Sequence, residues 1–394
     1  MIDIVSRNNC TGCKACGDIC PKKAISYETD EEGFWFPRIN YDLCIKCGKC
    51  DRVCPCLSDN ETYSDNYTEP QIFAGYHLDT EIRYSSTSGG AYYAIAKRFI
   101  DEGGVLVGCE YTSDYLGAVH AIATDLDGLK RLMRSKYFQS DSEGIYREIK
   151  AILDKDRKVL FCGTPCQVAA LYNYVGINKK NLYTIDFICL GVNSPYPYRR
   201  FIEELERKYK SKVKEVHLKN KSKGWQNLGT KVYFENGKSY YGSKDNDPWV
   251  NGYINGKFYI RKGCANCKYK GFPRVSDVSI GDFWGPKFSD LDSYNGVSLI
   301  MLNNEKGREL LLQCKDDTLH LEEYPLNDAL KGNPAIMNSV ELSEKRELFF
   351  EYLRNMPYSK AVWKTLGMEW PKWWIRYKKI QIKEIIRKIK AVRK

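Results

Sequence analysis

Two cysteine runs with one shared spacing constrain this chain more than any other feature. The first reads Cys10-x2-Cys13-x2-Cys16-x3-Cys20-Pro21 and the second Cys44-x2-Cys47-x2-Cys50-x3-Cys54-Pro55. This is the bacterial two-cluster pattern, in which the fourth cysteine of each run crosses to the other run's [4Fe–4S] cluster. The expected ligand sets are Cys10, Cys13, Cys16 and Cys54 for cluster one, and Cys44, Cys47, Cys50 and Cys20 for cluster two. Three thiolates spaced two residues apart wrap one cubane face from a tight loop whose N–H groups point at the sulfurs. Gly12, Gly17 and Gly48 help the chain take the required dihedrals. The prolines stop each short helix from continuing. A pair of zinc knuckles would use separated CxxC pairs, which two quartets closed by Cys-Pro fit poorly. Cys56 falls outside both quartets and reads as a spare thiol.

Nine of the sixteen cysteines lie between Cys10 and Cys56, and the four histidines are scattered. Met1 to Arg7 shows no basic segment followed by an apolar one, so the chain is expected to stay in the cytoplasm. Thiols are kept reduced there, which favours metal over disulfides. The net charge of +11 is concentrated at one end. Pro371 to Lys394 carries ten Lys/Arg and one Glu, leaving +2 over residues 1–370. A nearly neutral body with a basic tail argues against nucleic acid as a partner.

Residues 59–70 are polar and turn-rich and read as a linker after a 1–58 ferredoxin domain. Short apolar runs then alternate with helical patterns. Strands are expected over Gln71–Tyr76, Val105–Glu110, Val159–Cys162 and Tyr183–Cys189. Helices are expected over Gly89–Glu102, Gly144–Leu153, Cys166–Tyr174 and Pro197–Lys210. This alternation implies an α/β or α+β core. Ser86-Thr87-Ser88-Gly89-Gly90 precedes the first helix, where free N–H donors suit phosphate, although a Ser N-cap and turn would look the same. Gly163-Thr164-Pro165-Cys166-Gln167 puts a thiol at a helix N-terminus, where its thiolate is favoured.

Six segments occur in a telling order. They are Ser88-Gly89-Gly90, Ser135-Lys136-Tyr137, Gly163-Thr164-Pro165-Cys166-Gln167, Cys189-x-Gly191, Cys264-x2-Cys267 and Gly281-Asp282-Phe283-Trp284. Together they resemble the family of coenzyme F-420 hydrogenase/dehydrogenase beta subunits over roughly residues 70–330, with a fused two-cluster ferredoxin in front. The resemblance implies a flavin-binding body, carrying FAD or FMN, that passes electrons between clusters and a soluble deazaflavin or similar acceptor. Coenzyme F-420 itself is a possible substrate. The implied flavin-site residues are Ser88, Gly89, Gly90, Ser135, Lys136 and Tyr137. Gly163, Thr164, Cys166 and Gln167 would lie near the flavin and a third cluster. The family pattern has Cys-His-Gly where this chain has Cys189-Leu190-Gly191, so a possible proton donor is missing there.

The third [4Fe–4S] cluster is expected on Cys166, Cys189, Cys264 and Cys267, with Cys162 able to replace one of them. A CxxC zinc site with buried thiols elsewhere is the competing reading. Cys109 and Cys314 read as ordinary thiols. The expected fold class is α+β / α/β: a small ferredoxin-like domain, a mixed α/β flavin-binding body and a C-terminal helical tail. Within the body, 71–154 and 155–335 read as N-terminal and C-terminal domains, with 336–394 as the tail.

Lys372, Arg376, Lys379, Lys383, Arg387, Lys390 and Lys394 recur on one helical face, with isoleucines on another and tryptophans at the beginning. Such a helix suits an anionic membrane surface, here the inner membrane contacted peripherally through 370–394, and it equally suits docking on a protein. The expected function is an iron–sulfur flavoprotein oxidoreductase passing electrons to a soluble acceptor or a redox partner protein. Two rivals stand beside it: a non-catalytic electron-relay subunit, and a reductase in polysaccharide or membrane-linked metabolism. No side chain is an evident general acid.

Overall fold

The structure, a computed structural model, describes residues 2, 5–57, 65–177, 179–227, 229–286, 294–315, 317–368 and 382. Residues 59–64 of the expected linker and the basic tail, Ile382 apart, lie outside the described residues. None of the helices in the described residues is long and apolar enough to cross a membrane.

The N-terminal unit pairs two short helices, Ala15–Asp18 and Lys49–Val53, with an antiparallel hairpin of β1 (Ile25–Thr29) and β2 (Trp35–Ile39). The body contributes β3 (Gln71–His77), β4 (Val105–Tyr111), β5 (Ala118–Ala123), β6 (Val159–Gly163) and β7 (Leu182–Phe187). A separate antiparallel sheet follows, built from β8 (Val213–Asn220), β9 (Gly229–Phe234) and β10 (Ser239–Ser243). The chain then returns with β11 (Val278–Asp282), β12 (Ser298–Leu302) and β13 (Leu319–Tyr324). The large sheet runs β13-β3-β12-β11-β7-β6-β4-β5, so it takes strands from both sides of residue 155. Its centre, β4-β6-β7-β11, is parallel.

Parallel strands are covered on both faces, which explains their unbroken apolar runs. Val105, Leu106 and Val107 are buried, as are Val159, Leu160 and Phe161. Helix Ile145–Leu153 covers one face with Ile145, Tyr146, Ile149 and Leu153, all buried in one core with Val105, Phe161 and Val168. Helix Pro165–Val175 starts with Pro165 in its first turn, where a missing N–H costs nothing. It ends at Gly176, whose φ of 88° only glycine adopts readily. Helices Arg346–Asn355 and Tyr358–Thr365 pack against Pro195–Tyr209 and the small sheet in a second core rich in aromatic rings.

The N-terminal unit shares a core with the body: Cys13, Ala15, Cys16, Val53 and Cys54 pack with Tyr146, Ile149 and Val168. Polar contacts reinforce the junction. Arg261, 1 % exposed, donates to Cys10 O at 2.6 Å, Gln139 Oε1 at 2.8 Å and Trp35 O at 2.9 Å. Asp18 accepts from the N–H groups of Gly144 (2.8 Å) and Tyr146 (3.1 Å), at the start of the covering helix.

Arg274 ties the loop after Cys267 to the sheet. Its guanidinium bonds Asp186 Oδ1 at 2.8 Å, Ser279 Oγ at 3.1 Å and Tyr269 O at 3.2 Å, and both ionic partners are buried. Removing one member of a buried pair strands the other charge. Arg274→Met should therefore destabilise the chain by about 3–5 kcal/mol, whereas Arg274→Met with Asp186→Leu should recover most of the loss. Equilibrium unfolding of both variants checks this, and a double variant as weak as the single one would contradict it.

Candidate functional site

The two ferredoxin-like loops repeat one backbone twist. Positive φ occurs at Gly12 and Lys14 in the first loop, and at Lys46 and Gly48 in the second, equivalent positions with one glycine in each pair. Gly12 is fixed twice over, because a Cβ there would stand 2.2 Å from Gln139 Nε2. Gly17 serves packing instead of dihedral freedom: its added Cβ would meet the Tyr27 hydroxyl at 2.4 Å.

Cys20, Cys44, Cys47 and Cys50 line one cavity, together with Pro21, Ile25 and Ile39. These are the four cysteines expected for cluster two. Amide donors reach two of the sulfurs, Ala24 N–H to Cys20 Sγ at 3.3 Å and Lys46 N–H to Cys44 Sγ at 3.4 Å. Such donors stabilise a thiolate-bound cluster. Cys10, Cys13, Cys16 and Cys54 gather on the inner side, facing the body. Burial pushes the Cys13 thiol up to about 12, with Cys56 and Cys10 adding to the rise. Cys16 is raised by burial and then by Cys13 and Cys10, and Cys54 by Cys56, burial and Cys13. Groups that cannot ionise alone in such surroundings would hold a thiolate only against a cluster's positive iron. Cys56, read as a spare thiol, stands against Cys54 and donates to Asn9 O at 3.0 Å.

The body brings four further cysteines together. Cys166 lies in the first turn of helix Pro165–Val175, Cys189 follows β7, Cys264 lies within the turn Lys262–Asn266 and Cys267 comes directly after it. Cys166 feels the charges of Cys267, Cys189 and Cys264; Cys189 feels Cys264 and Cys267; and Cys264 feels Cys267. Cys162 neighbours Asp186, Cys109 and Lys136 instead. Among the described residues, no three His, Cys, Asp or Glu side chains gather closely enough for a single metal ion. The helix N-terminus was expected to favour a thiolate at Cys166, but burial outweighs it and raises that thiol well above its ordinary value. Cys189 is pushed up to about 12, again by burial first. Lys270 sits over this set, donating to Cys189 O at 2.6 Å, and its charge lowers the cost of thiolates at Cys189 and Cys264. Four thiols and one cation suit a [4Fe–4S] cluster, which Cys166, Cys189, Cys264 and Cys267 would hold.

A cleft of about 580 Å³ lies at the carboxyl ends of β4, β6, β7 and β11. Open α/β sheets bind ligands there, and the volume is that of a small-molecule site. Thr11, Gly12 and Cys13 line it from the ferredoxin side, and Cys166 and Cys189 from the body. Lys136, Tyr137, Gly163, Thr164 and Gln167 also line it. Lys136 Nζ closes the end of helix Leu126–Leu132 by donating to Met133 O at 2.6 Å and Arg131 O at 3.0 Å. Burial brings its pKa down to about 8, while Cys109 pulls it upward.

Ser88, Gly89, Gly90 and Ser135 do not line the cleft. Ser88 Oγ donates to Val297 O at 2.7 Å, and Gly89 N–H to Ser298 Oγ at 2.9 Å. A Cβ on Gly89 would stand 2.2 Å from Gly75 O, so this glycine serves close packing on β3. Gly90 takes φ 98° ahead of helix Ala91–Asp101, and Ser135 N–H bonds Thr87 Oγ1 at 3.1 Å.

Lys219, Asp282 and Trp284 also line the cleft, and Trp225 backs them from behind. Trp284 stacks on Trp225 with centroids 4.3 Å apart and planes at 6°. Trp225 Nε1–H donates to Asp282 Oδ1 at 3.0 Å, and Asp282 also pairs with Lys219. Gly281-Asp282-Phe283-Trp284 was a visible motif, whereas Trp225 and Lys219 arrive from the small-sheet region with no local signal.

Sets of cluster-type cysteines leading to a cleft at the end of a parallel sheet define an iron–sulfur electron-transfer oxidoreductase. Comparison with known proteins places it further. Two family models match the chain, one in its N-terminal unit and one in its body. Residues 156–326 match the model for the C terminus of the beta subunit in that family, and residues 9–57 match the 4Fe-4S dicluster domain. One subunit of the F(420)H(2) dehydrogenase of Methanosarcina mazei is 20 % identical over 92 % of this chain and 97 % of its own length. The coenzyme F420-dependent sulfite reductase of Methanocaldococcus jannaschii is 24 % identical over 78 % of this chain, which matches 46 % of that protein. Among solved structures, a chain of the F420-reducing [NiFe] hydrogenase complex from Methanosarcina barkeri aligns with a TM-score of 0.47 at 17 % identity. That alignment covers 76 % of this chain and 91 % of the other.

Proposed function

We propose that the chain carries electrons through three [4Fe–4S] clusters to a flavin, FAD or FMN, held in the cleft, and on to a deazaflavin-like or other soluble acceptor. The observation that carries this reading is the lining of the cleft: Cys13 of the first loop and Cys166 and Cys189 of the body meet the same space. A group bound there sits next to two sets of thiols at once. Bound flavin supplies the step between one-electron clusters and a two-electron acceptor. Lys136, Tyr137, Gly163, Thr164 and Gln167 would contact it, and Trp284 and Tyr253 would offer aromatic faces. The two relatives named for coenzyme F420 support a deazaflavin acceptor.

Iron and flavin content of anaerobically purified protein, with spectra before and after dithionite, test this. About twelve irons and one flavin per chain are expected, since each cubane holds four irons. About eight irons without flavin would remove the flavin reading and leave the dicluster unit alone.

A second reading, a relay subunit whose catalytic partner is another chain, draws on the outer loop. Tyr41, Leu43 and Ile45 are 51 %, 51 % and 57 % exposed beside Cys44, and Cys47 is exposed. An apolar rim around the outer cluster suits protein docking. Turnover of the isolated chain with a small acceptor would decide against it.

A further inference from the structure

Among the described residues one histidine lines the cleft, His120 on β5. Its ring lies nearly parallel to Phe161, with centroids 5.6 Å apart and planes at 13°. Nδ1 stands 3.2 Å from Ser140 Oγ, while Nε2 is buried and meets no protein partner. Leaving a buried polar atom unpaired costs about 1–3 kcal/mol, so the atom demands a partner.

The position of the ring proton follows from the neighbours. Thr164 backbone N–H, which is only ever a donor, bonds Gln167 Oε1 at 3.0 Å. This fixes the amide oxygen toward Thr164 and turns the amide nitrogen to Ser140 Oγ, at 3.5 Å the longest link in the chain. Ser140 accepts there, so its own proton is free for His120 Nδ1. Cys109 is the other group beside Ser140, and sulfur is the poorer acceptor. A neutral imidazole that accepts at Nδ1 carries its hydrogen on Nε2. Burial keeps the ring neutral by lowering its pKa to about 4, with Asp141 pulling it up and Lys136 pushing it down.

We propose that His120 presents a fixed Nε2–H donor to an oxygen or nitrogen of the redox group bound in the cleft, with Ser140 and Gln167 as positioning residues. The inference rests on the flavin reading above. The donor makes and breaks no covalent bond. It favours whichever redox state places more negative charge on the accepting atom, which is the reduced one.

Two measurements on the full, anaerobically purified chain test it. Nitrogen-15 imidazole signals, with His120 assigned through His120→Gln, should show hydrogen on Nε2 in the wild type and a mixture of tautomers in Ser140→Ala. Hydrogen on Nδ1 in the wild type would overturn the proposal whether or not flavin is bound. The midpoint potential of bound flavin is the second readout. His120→Phe should weaken the reduced form about tenfold relative to the oxidised form, about 30 mV for a two-electron couple. His120→Gln, with an amide N–H, should recover most of that shift. An unchanged potential in His120→Phe with flavin still stoichiometric overturns the donor and leaves the flavin reading standing. A wild-type chain that holds no flavin overturns both.

Discussion

Replacing Arg261 with alanine should loosen the dicluster unit from the body and cost about 3–5 kcal/mol, because each stranded buried acceptor costs about 1–3 kcal/mol. Three acceptors depend on this guanidinium: Cys10 O, Trp35 O and Gln139 Oε1. Two belong to the N-terminal unit and one to the body, so a single planar fork bridges the junction. Its face also lies 4.5 Å from the Phe36 ring centroid and 5.2 Å from that of Phe34. A compact ammonium cannot serve three divergent acceptors, so Arg261→Lys should keep only part of the loss at bay. The apparent midpoint of anaerobic thermal unfolding should fall by on the order of 5–10 °C in Arg261→Ala. Reduction of a cleft-bound acceptor through the clusters should slow in parallel, since Thr11, Gly12 and Cys13 are the N-terminal residues that line the cleft. A midpoint within about one degree of wild type would mean that the shared apolar core alone holds the junction.

The legibility of this molecule depends on how local each signal is. The cysteine loops could be read because their ligand geometry is written into spacings of two and three residues. The strand–helix alternation could be read because parallel strands must be apolar on both faces, as Val105-Leu106-Val107 and Val159-Leu160-Phe161 are. Ser88-Gly89-Gly90 illustrates the opposite case. A glycine before a helix looks the same whether it makes room for a ligand or for a neighbouring strand, and Gly89 packs close against Gly75 O. Long-range pairings were invisible for a different reason. Trp225 meets Trp284 across 59 positions, and Arg261 meets Cys10 across 251, so only the tertiary fold could bring them together. His120 sits on an edge strand where it passes for an ordinary residue, and its neighbours Ser140 and Gln167 lie on other elements.

Converting both Cys264 and Cys267 to serine should remove about four irons per chain, one cubane's worth, while the dicluster unit keeps its own about eight. Cys264 and Cys267 sit on a turn held by Val192 N–H to Cys264 Sγ at 3.4 Å and by Cys267 N–H to Ser339 Oγ at 3.2 Å. That turn faces Cys166 and Cys189, whose charges it feels, whereas Cys162 looks toward Asp186 and Cys109. Cys162→Ser should therefore leave iron unchanged, which separates the two ligand assignments that the sequence left open. If the set held zinc, the double variant would lose about one zinc and no iron, because a CxxC pair completes a four-ligand tetrahedral site. Electron paramagnetic resonance of the dithionite-reduced protein gives an independent count, since the signal lost should belong to a cluster distinct from the two in the dicluster unit. With that cluster gone, Cys13 would be the one cleft-lining cysteine of the expected sets that still held a cluster, since Cys166 and Cys189 would have lost their companions. Iron unchanged in the double variant, with zinc unchanged as well, would sink the third site altogether. The clusters' route to the cleft would then run through the first loop alone.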